Sequence, residues 1–518
     1  MKISLQKLST YILYFFPLSL VMGPLVGEIC MNLFTIFVIR IVMEKKNFSF
    51  FKKKKYIFLL LFYLVILVST FLSNYNDLII FKSLAYIRYI FFIFAVSYLV
   101  LIDEKILQKF LKFLFYTLLI VIIDGYFQYF FGKNILGFEK IRHDRISGFF
   151  DDKLVLGSYL LKFTILHVYL FLKNIKNLDI LDKCLNYVLI FLSIILIFIT
   201  GDRAPGYLVI IFIFIIFISM NFKYKFIYLL LIIFSSSIFL VSNNILYDRF
   251  VKQTLNQINF TNLSQPLNSF KYYSPIFNTA YSAFKGKIFI GHGPKSFRYF
   301  CSDEKYEYFF SDSAEIPSIG NIEFDIYNPN DAAKITKLFI KEGDDIKNGQ
   351  KILSYIIKRK SIFGEKKIES IMKSSKSGKI IKILVSEGDP GITKGRYIVE
   401  IKFDKNPNNF VIRNSCTTHP HNFYLQLLSE TGLIGTFFII FSFLFFLYKI
   451  ITHIISNLLN KKNTLSNSEI ILIAYIIILL FPFTTTGNFF NNWLNMISIL
   501  PISLYLFESD LKNEIKRK

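Results

Sequence analysis

The sharpest chemical signal in the sequence is a pair of histidines directly before an apolar run. His419, His421 and Asn422 stand together, and Thr417 or Thr418 is predicted to cap a helix that starts there. The unpaired amides of such a helix start would face an anion, and a histidine beside it can act as a general base near neutral pH. The alternative is that these histidines only cap the helix at a membrane interface.

Three arginines form a second group of candidates, because a guanidinium can hold a phosphate through two parallel hydrogen bonds. Arg203 lies in a Thr-Gly-Asp-Arg-Ala segment at the end of an apolar run, Arg145 lies in a loop, and Arg88 stands inside an apolar run. An ionisable residue within a membrane segment predicts a functional site. The alternative for Arg203 is an anchor at the membrane interface.

Neither metal chemistry nor nucleotide chemistry is indicated. The chain has six histidines and four cysteines, and their spacing shows no metal-ligand set. No glycine-rich loop of the phosphate-cradling kind occurs in the sequence. We therefore expect a site that works with no metal and no cofactor.

The elements that position these residues are predicted to be membrane helices. Of the 518 residues, 53% are hydrophobic, and the net charge is +24. The basic residues lie in short clusters between apolar runs, which argues against a nucleic-acid-binding face. Runs of about 20 residues are long enough to cross a bilayer as helices. Twelve spans are predicted, at residues 8–26, 29–42, 56–72, 78–102, 111–131, 154–172, 185–200, 207–220, 226–241, 433–450, 470–483 and 493–507.

Charge orients these spans, because Lys and Arg are retained on the cytoplasmic side. They are far more frequent in the segments on the side of the N-terminus than in the short loops opposite. We therefore predict a multi-pass protein of the bacterial inner membrane with an uncleaved first span and both termini in the cytoplasm. Residues 1–242 would hold helices 1–9, residues 243–432 a large periplasmic loop, and residues 433–518 helices 10–12.

The large loop contains an internal repeat. Residues 334–344 and 379–389 each show an apolar strand pattern that ends in Glu-Gly-Asp, which predicts a strand followed by a tight turn. The repeat resembles the biotinyl/lipoyl-like barrel-sandwich domain, and it divides the loop into a first part (243–321), a β insert (322–403) and a candidate catalytic segment (404–432). Lys367 is the nearest candidate for a prosthetic group, but its flanking residues do not match. A spacer or a binding module for a protein partner is the favoured interpretation. The predicted fold class is thus an all-α polytopic membrane protein with a small all-β insert between helices 9 and 10.

The order of four motifs resembles the O-antigen ligase family of membrane glycosyltransferases, which also includes O-antigen polymerases. From His419 to Gly435 the sequence reads His-x-His-Asn-x-x-Leu-Gln-x-x-x-Glu-x-Gly-x-x-Gly. The segment around Arg203 resembles the arginine signature of the family. The Arg-x-x-Gly-x-Phe loop begins at Arg145, and a Gly-x-Gly-x-x-x-Phe segment begins at Gly291. Twelve spans with a large loop between the ninth and tenth are also typical of the family.

This resemblance implies a metal-independent enzyme that moves a glycan from undecaprenyl pyrophosphate to an acceptor hydroxyl, such as that of a lipid A core. His421 would deprotonate the acceptor. Arg203 would hold the leaving pyrophosphate, with Arg145 and Arg88 as further candidates. His419 and Asn422 would contact substrate beside them. The rival interpretations are a polymerase that joins repeat units and a polytopic transporter.

One departure from the family concerns a second arginine, which the family often places shortly before an aromatic-x-x-Ala segment. The corresponding stretch here, residues 270–280, contains no arginine. Lys271 would then stand in as a point charge, or Arg249 would reach into the site.

The four cysteines give one further expectation. Cys301 and Cys416 are the two in the predicted periplasmic loop, where they bracket the β insert. An oxidising compartment permits a disulfide between them, and the alternative is two free thiols that lie apart. A disulfide requires Cα atoms within about 7 Å.

Overall fold

The structure is a computed structural model. It describes residues 4–46, 53–140, 144–220, 244–258, 267, 269–270, 273–301, 305–306, 319–324, 333–347, 349–361, 364–374, 377–393, 396–403, 416–459 and 464–517.

The described chain is mainly a bundle of apolar helices. Seven of its helical segments, one of them covering residues 76–102 in two helices, are long and apolar enough to cross a membrane, and two further apolar helices are shorter. The coarse prediction of a polytopic helical protein is confirmed. The helices are α1 (Leu5–Met22), α2 (Pro24–Glu44), α3 (Lys54–Phe71), α4 (Asn76–Leu84), α5 (Ile87–Ile102), α6 (Ile106–Phe131), α7 (Leu156–Asn174), α8 (Ile180–Ile199), α9 (Arg203–Ser219), α10 (Asn244–Tyr247), α11 (Gln253–Gln257), α12 (Ser274–Gly286), α13 (Phe297–Phe300), α14 (Phe423–Leu458), α15 (Asn467–Leu479) and α16 (Asn492–Arg517).

Helix boundaries differ from the predicted spans in three places. The second span is longer than expected, because α2 starts at Pro24, directly after a turn at Gly23 with φ 134°. The fourth span is divided into α4 and α5 by a turn at Ala85 and Tyr86. The helix after the histidines starts at Phe423, later than Thr417 or Thr418 would have placed it. The ninth predicted span, at residues 226–241, lies outside the described residues.

Polar contacts at the two ends of α16 show how the bundle is arranged. Near its start, the indole of Trp493 donates a hydrogen bond to the carbonyl of Leu20 at 3.0 Å. Near its end, Asp510 accepts ion pairs from Lys53 and Lys55 at 3.0 and 2.7 Å. The α1–α2 turn therefore lies at one end of the bundle, and Lys53 and Lys55 at the start of α3 lie at the other. We call the end at Trp493 the site end, because the candidate residues lie there, and the opposite end the lysine end.

The β insert is a small antiparallel structure with its own core. One sheet has the strand order β1-β7-β6-β3 and the other β2-β4-β5. Their buried residues, from Ile322 to Ile401, pack on one another as a cluster separate from the helical core. The strands are β1 (Ile319–Glu323), β2 (Ala333–Leu338), β3 (Asp345–Ile346), β4 (Lys351–Ser361), β5 (Gly364–Lys373), β6 (Gly378–Ile383) and β7 (Tyr397–Phe403).

The two copies of the repeat hold each other together. The amide of Gly343 donates to the carbonyl of Ile380 at 2.9 Å, and in return the amide of Gly388 donates to the carbonyl of Ile335 at 2.9 Å. The glutamates of the two turns, Glu342 and Glu387, also bond across the repeat, since the carboxylate of each accepts a hydrogen bond from a backbone amide of the other copy. Each turn is closed locally by its own aspartate and is also held by hydrogen bonds from the other copy, so we expect the insert to fold as a pair of repeats.

We expect the helical bundle to survive removal of this insert. Because β1 and β7 are paired, with Ile319 opposite Lys402, the insert leaves and returns at adjacent positions. Replacing residues 322–403 with a short Gly-Ser linker should leave a monodisperse protein in detergent, measured by size-exclusion chromatography. Removing one repeat alone (residues 333–361) is the matched control and should expose the insert to protease. Aggregation of the linker variant would contradict the separate core.

Candidate functional site

His421 stands in a strained backbone position at the site end. Its φ is +56°, a left-handed value that residues other than glycine rarely adopt. Two contacts hold it there. Its carbonyl accepts a hydrogen bond from the amide of Thr486 at 2.8 Å, and Asn422, the next residue, caps α14 through the amides of Tyr424 and Leu425. The strain therefore fixes the direction of the His421 side chain at the start of α14.

The two histidines differ in what their ring nitrogens contact. In His419, Nε2 donates to the carbonyl of Thr486 at 3.3 Å and Nδ1 lies 2.9 Å from the hydroxyl of Thr418. The ring of His421 packs against His419 and Tyr273, with centroids 4.3 and 5.5 Å away. Among the described residues, no hydrogen-bond partner occupies its nitrogens. His421 is thus the histidine that can accept a proton from a ligand.

Burial sets the protonation of both rings. It lowers the pKa of His421 below the ordinary value of a histidine. Burial and then repulsion by His421 lower the pKa of His419 to about 4. Both rings are therefore neutral at pH 7, which is the form that a general base needs.

Asn422, a predicted substrate contact, has its side chain engaged in structural hydrogen bonds. Its amide oxygen caps α14, and its amide nitrogen donates to the carbonyl of Pro482 at 3.0 Å. It therefore positions His421 and joins α14 to the segment after α15.

The Gly-x-Gly segment that begins at Gly291 packs against a break in α14. Gly432 has φ 66° and ψ −167°, so the helix is interrupted and carbonyls before the break lose their helical partners. The carbonyls of Ser429 and Glu430 accept the amides of His292 and Gly293 at 2.9 and 2.7 Å instead. A side chain on Gly432 would collide with the backbone of Phe289. The glycine is required because two backbones meet here.

Glu430 is the buried anchor of this contact, and the sequence analysis did not single it out. Its carboxylate accepts the amides of Lys295 and Phe297 at 2.9 and 3.0 Å. Gln426 donates to the same carboxylate at 2.9 Å and to Asn488 at 3.0 Å. Glu430 thus connects α14 to the Gly-x-Gly segment and, through Gln426, to the loop before α16.

Glu430→Ala should release the Gly-x-Gly segment. It would leave two buried backbone amides and the Gln426 amide without an acceptor, at about 1–3 kcal/mol for each unsatisfied group. We expect rapid trypsin cleavage after Lys295 and Arg298 in the detergent-solubilised protein, where the wild type resists. Glu44→Gln, at an exposed carboxylate of α2, is the control and should leave cleavage slow. Equal protection in both variants would contradict the anchoring role.

Arg203 is the first residue of α9, and its partners among the described residues are neutral groups. Its guanidinium donates to the hydroxyl of Thr254 at 3.3 Å and to the side-chain carbonyl of Gln257 at 2.8 Å. In the part of the chain that the structure describes, no carboxylate pairs with it. Its charge is therefore available to an anionic ligand.

Arg145 and Arg249 are engaged in a charge network beside Arg203. Arg145 pairs with Asp202, the residue before α9. Arg249 donates to the carbonyl of Gly201 at 3.1 Å and lies 3.7 Å from the carboxylate of Asp144. The network fixes the turn that presents Arg203, so these two arginines position it. Arg249 does reach the segment before α9, whereas Lys271 lies outside the described residues.

Arg88 is held by a carboxylate of α2. It donates to both oxygens of Glu28 at 2.9 and 2.8 Å, and it also contacts the hydroxyl of Tyr89. A ligand anion would have to compete with Glu28 for this guanidinium. Arg88 is therefore a weaker candidate than Arg203.

Cys301 and Cys416 form a disulfide with their Cα atoms 4.9 Å apart. Cys301 is fully buried beside Phe297 and Phe300. The bond links the chain before the β insert to the chain after it, five residues ahead of His421. It therefore ties the histidine segment to the Gly-x-Gly segment.

A mostly apolar cavity of about 300 Å³ lies between the helices next to these groups. Its walls include Phe423 and Thr486, beside the histidines. They also include Ala204 and Pro205, directly after Arg203, and Tyr89, directly after Arg88. One cavity is thus bordered by the neighbours of His421, Arg203 and Arg88.

Within the described residues, no group of three or more His, Cys, Asp or Glu side chains could hold a metal ion. In comparisons with known proteins, no family model, no curated protein and no solved structure matches the chain.

Proposed function

We propose that the protein is a membrane glycosyltransferase of the O-antigen ligase type, which moves a glycan from undecaprenyl pyrophosphate to an acceptor hydroxyl. The observation that carries this proposal is the apolar cavity bordered by the neighbours of His421, Arg203 and Arg88. Apolar walls suit a polyprenyl chain. Among the described residues, Arg203 has no carboxylate partner, which suits a phosphate, and the His421 ring has no hydrogen-bond partner, which suits a hydroxyl that must lose its proton.

The proposed reaction is a single displacement at the anomeric carbon of the glycan. His421 takes the proton of the acceptor hydroxyl as its oxygen bonds to that carbon. The bond between the carbon and the pyrophosphate oxygen breaks, and undecaprenyl pyrophosphate leaves with the electron pair. Arg203 stabilises the negative charge that develops on the leaving group. The acceptor would be a lipid A core or another glycolipid with a free hydroxyl.

We further propose twelve membrane crossings in a bacterial inner membrane, with both termini in the cytoplasm and the site end in the periplasm. The collection of the candidate residues at one end of the bundle supports this orientation. So does the position of Lys53 and Lys55 at the opposite end, since basic residues are retained in the cytoplasm.

For the β insert we propose a barrel-sandwich domain of the biotinyl/lipoyl type, used as a spacer or as a binding module for a protein partner. The reciprocal hydrogen bonds of the two Glu-Gly-Asp turns support it. The Lys367 position has no matching flanking sequence, so the intact mass of the protein should show neither biotin nor lipoate.

The glycans of a deletion strain test the proposed function and separate it from its rivals. Loss of a ligase leaves complete polymer on the lipid carrier, whereas loss of a polymerase leaves single repeat units on the acceptor. Complementation with His421→Asn should fail to restore the wild-type glycans. An unchanged glycan profile in the deletion strain would overturn both enzymatic interpretations and favour a transporter.

A further inference from the structure

A lysine inside the membrane bundle lines the cavity. Lys162 lies six residues after the start of α7, about 9 Å along the helix axis from the site end. Its side chain, together with Ser158 and Ser498, contributes to the cavity wall, and the remaining lining is largely Phe, Leu and Ile. The lining contains no Asp and no Glu.

The ammonium group of Lys162 has one neutral contact. Nζ donates to the hydroxyl of Ser498 at 2.7 Å, and that hydroxyl in turn donates to the carbonyl of Leu494 at 2.6 Å. A lysine ammonium carries three donors. Among the described residues, no carboxylate lies within ion-pair distance of Nζ, and the Ser498 hydroxyl is its one hydrogen-bond partner there.

Three lysines at the opposite end of the bundle each have a carboxylate partner. At the lysine end, Lys55 pairs with Asp510, Lys173 with Glu508, and Lys512 with Glu469. A charge in a low-dielectric interior is costly without a counter-charge. Lys162 differs from these three lysines because its side of the cavity offers no acid. A bound anion would supply the missing counter-charge.

We propose that Lys162 binds the phosphate that is attached directly to the hydrocarbon chain of a polyprenyl lipid in this cavity. The inference deepens the proposed function and rests on it for the choice of lipid. In a glycan–pyrophosphate–prenyl donor, the glycan, the outer phosphate and the chain-linked phosphate follow one another. His421 precedes α14 and Arg203 begins α9, both at the site end, whereas Lys162 lies about 9 Å farther along α7 toward the bilayer interior, where the chain-linked phosphate would follow the outer one.

The size of the cavity agrees with a lipid held by its head. About 300 Å³ is at the lower end of small-molecule pockets, enough for a phosphate and the first part of a chain. The remaining chain would extend between helices into the bilayer. An apolar wall next to a single cation therefore selects a lipid phosphate over a free anion.

The test is direct binding, without glycan and without turnover. The purified full chain in phosphatidylcholine nanodiscs is titrated with undecaprenyl phosphate and, separately, with undecaprenol, and bound lipid is counted by native mass spectrometry. We expect the wild type to prefer the phosphate by about tenfold or more. Lys162→Met should lose that preference and bind undecaprenol as before, whereas Lys162→Arg should retain it. Lys109→Met, at an exposed lysine of α6, is the matched control and should behave as wild type.

Three results would overturn the inference: no preference for the phosphate in the wild type, an unchanged preference in Lys162→Met, or displacement of the lipid by millimolar inorganic phosphate. If Lys162→Met does not fold, the inference is still decided by the preference of the wild type for the phosphate and by whether Lys162→Arg retains that preference. A normal glycan profile in the deletion strain would refute the proposed transferase reaction. The binding results would still show whether Lys162 binds a lipid phosphate.

Discussion

His421→Ala should abolish glycan transfer, with a loss of roughly 10²–10⁴ in rate, while the protein accumulates in the membrane at wild-type levels. Loss of a positioned general base commonly costs that much. The ring nitrogens of His421 have no partner among the described residues, so removal of the ring breaks none of the hydrogen bonds made there. The measurement is single-turnover transfer from a defined lipid-linked glycan in proteoliposomes.

Two variants separate the chemistry of His421 from its backbone position. His421→Asn keeps a residue type that tolerates φ +56° and should be as inactive as His421→Ala. His419→Ala should be milder, because both nitrogens of His419 already contact Thr418 and Thr486. Near wild-type turnover in His421→Asn would refute the role of His421 as the general base.

The pH dependence of the wild type follows from burial of the same ring. Because burial lowers the pKa of His421, the basic form predominates at and below neutral pH. The acid limb of the kcat/KM profile should therefore lie below the value of about 6.5 for a free histidine. An acid limb above that value would assign the base to another group.

Arg203→Ala should lower transfer by about 10²–10³, the usual effect of removing one preorganised group that stabilises developing negative charge. Arg203→Lys should fail nearly as badly, because an ammonium cannot make the planar two-donor contact with a phosphate. The single-turnover assay measures both. Arg40→Lys, at an exposed arginine of α2 paired only with Glu44, should leave the rate unchanged. Full activity in Arg203→Lys would reduce Arg203 to a point charge or an interface anchor.

The helices could be predicted from the sequence because a membrane span must be both long and apolar. Gly432 shows where that reasoning fails. Its apolar neighbours continue the pattern, and the break is evident only once residues 288–293 are packed against it. The N-terminal cap of α14 is a local feature, and the prediction that Thr417 or Thr418 forms it is wrong. Asn422 is itself a favourable cap residue, and Thr417 donates to the carbonyl of His419 instead.

The candidate arginines could be found from their type and position, but their partners could not. Glu28 precedes Arg88 by 60 residues, and Asp202 follows Arg145 by 57 residues. Only the structure distinguishes the arginines that pair with a carboxylate from Arg203. Lys162 carried a signal that the sequence analysis passed over, since it is a charged residue inside the predicted span at 154–172.

The docking of Leu433 onto Ile288 has a consequence for biosynthesis. The ribosome makes about 145 residues between these two positions, which takes roughly 7–29 s at the usual elongation rate. During that interval the earlier segment lacks the backbone partners that it has in the finished protein. A chain truncated before α14 would have a complete set of arginines but no assembled site. Chaperones and proteases would therefore meet the unfinished protein at this segment first.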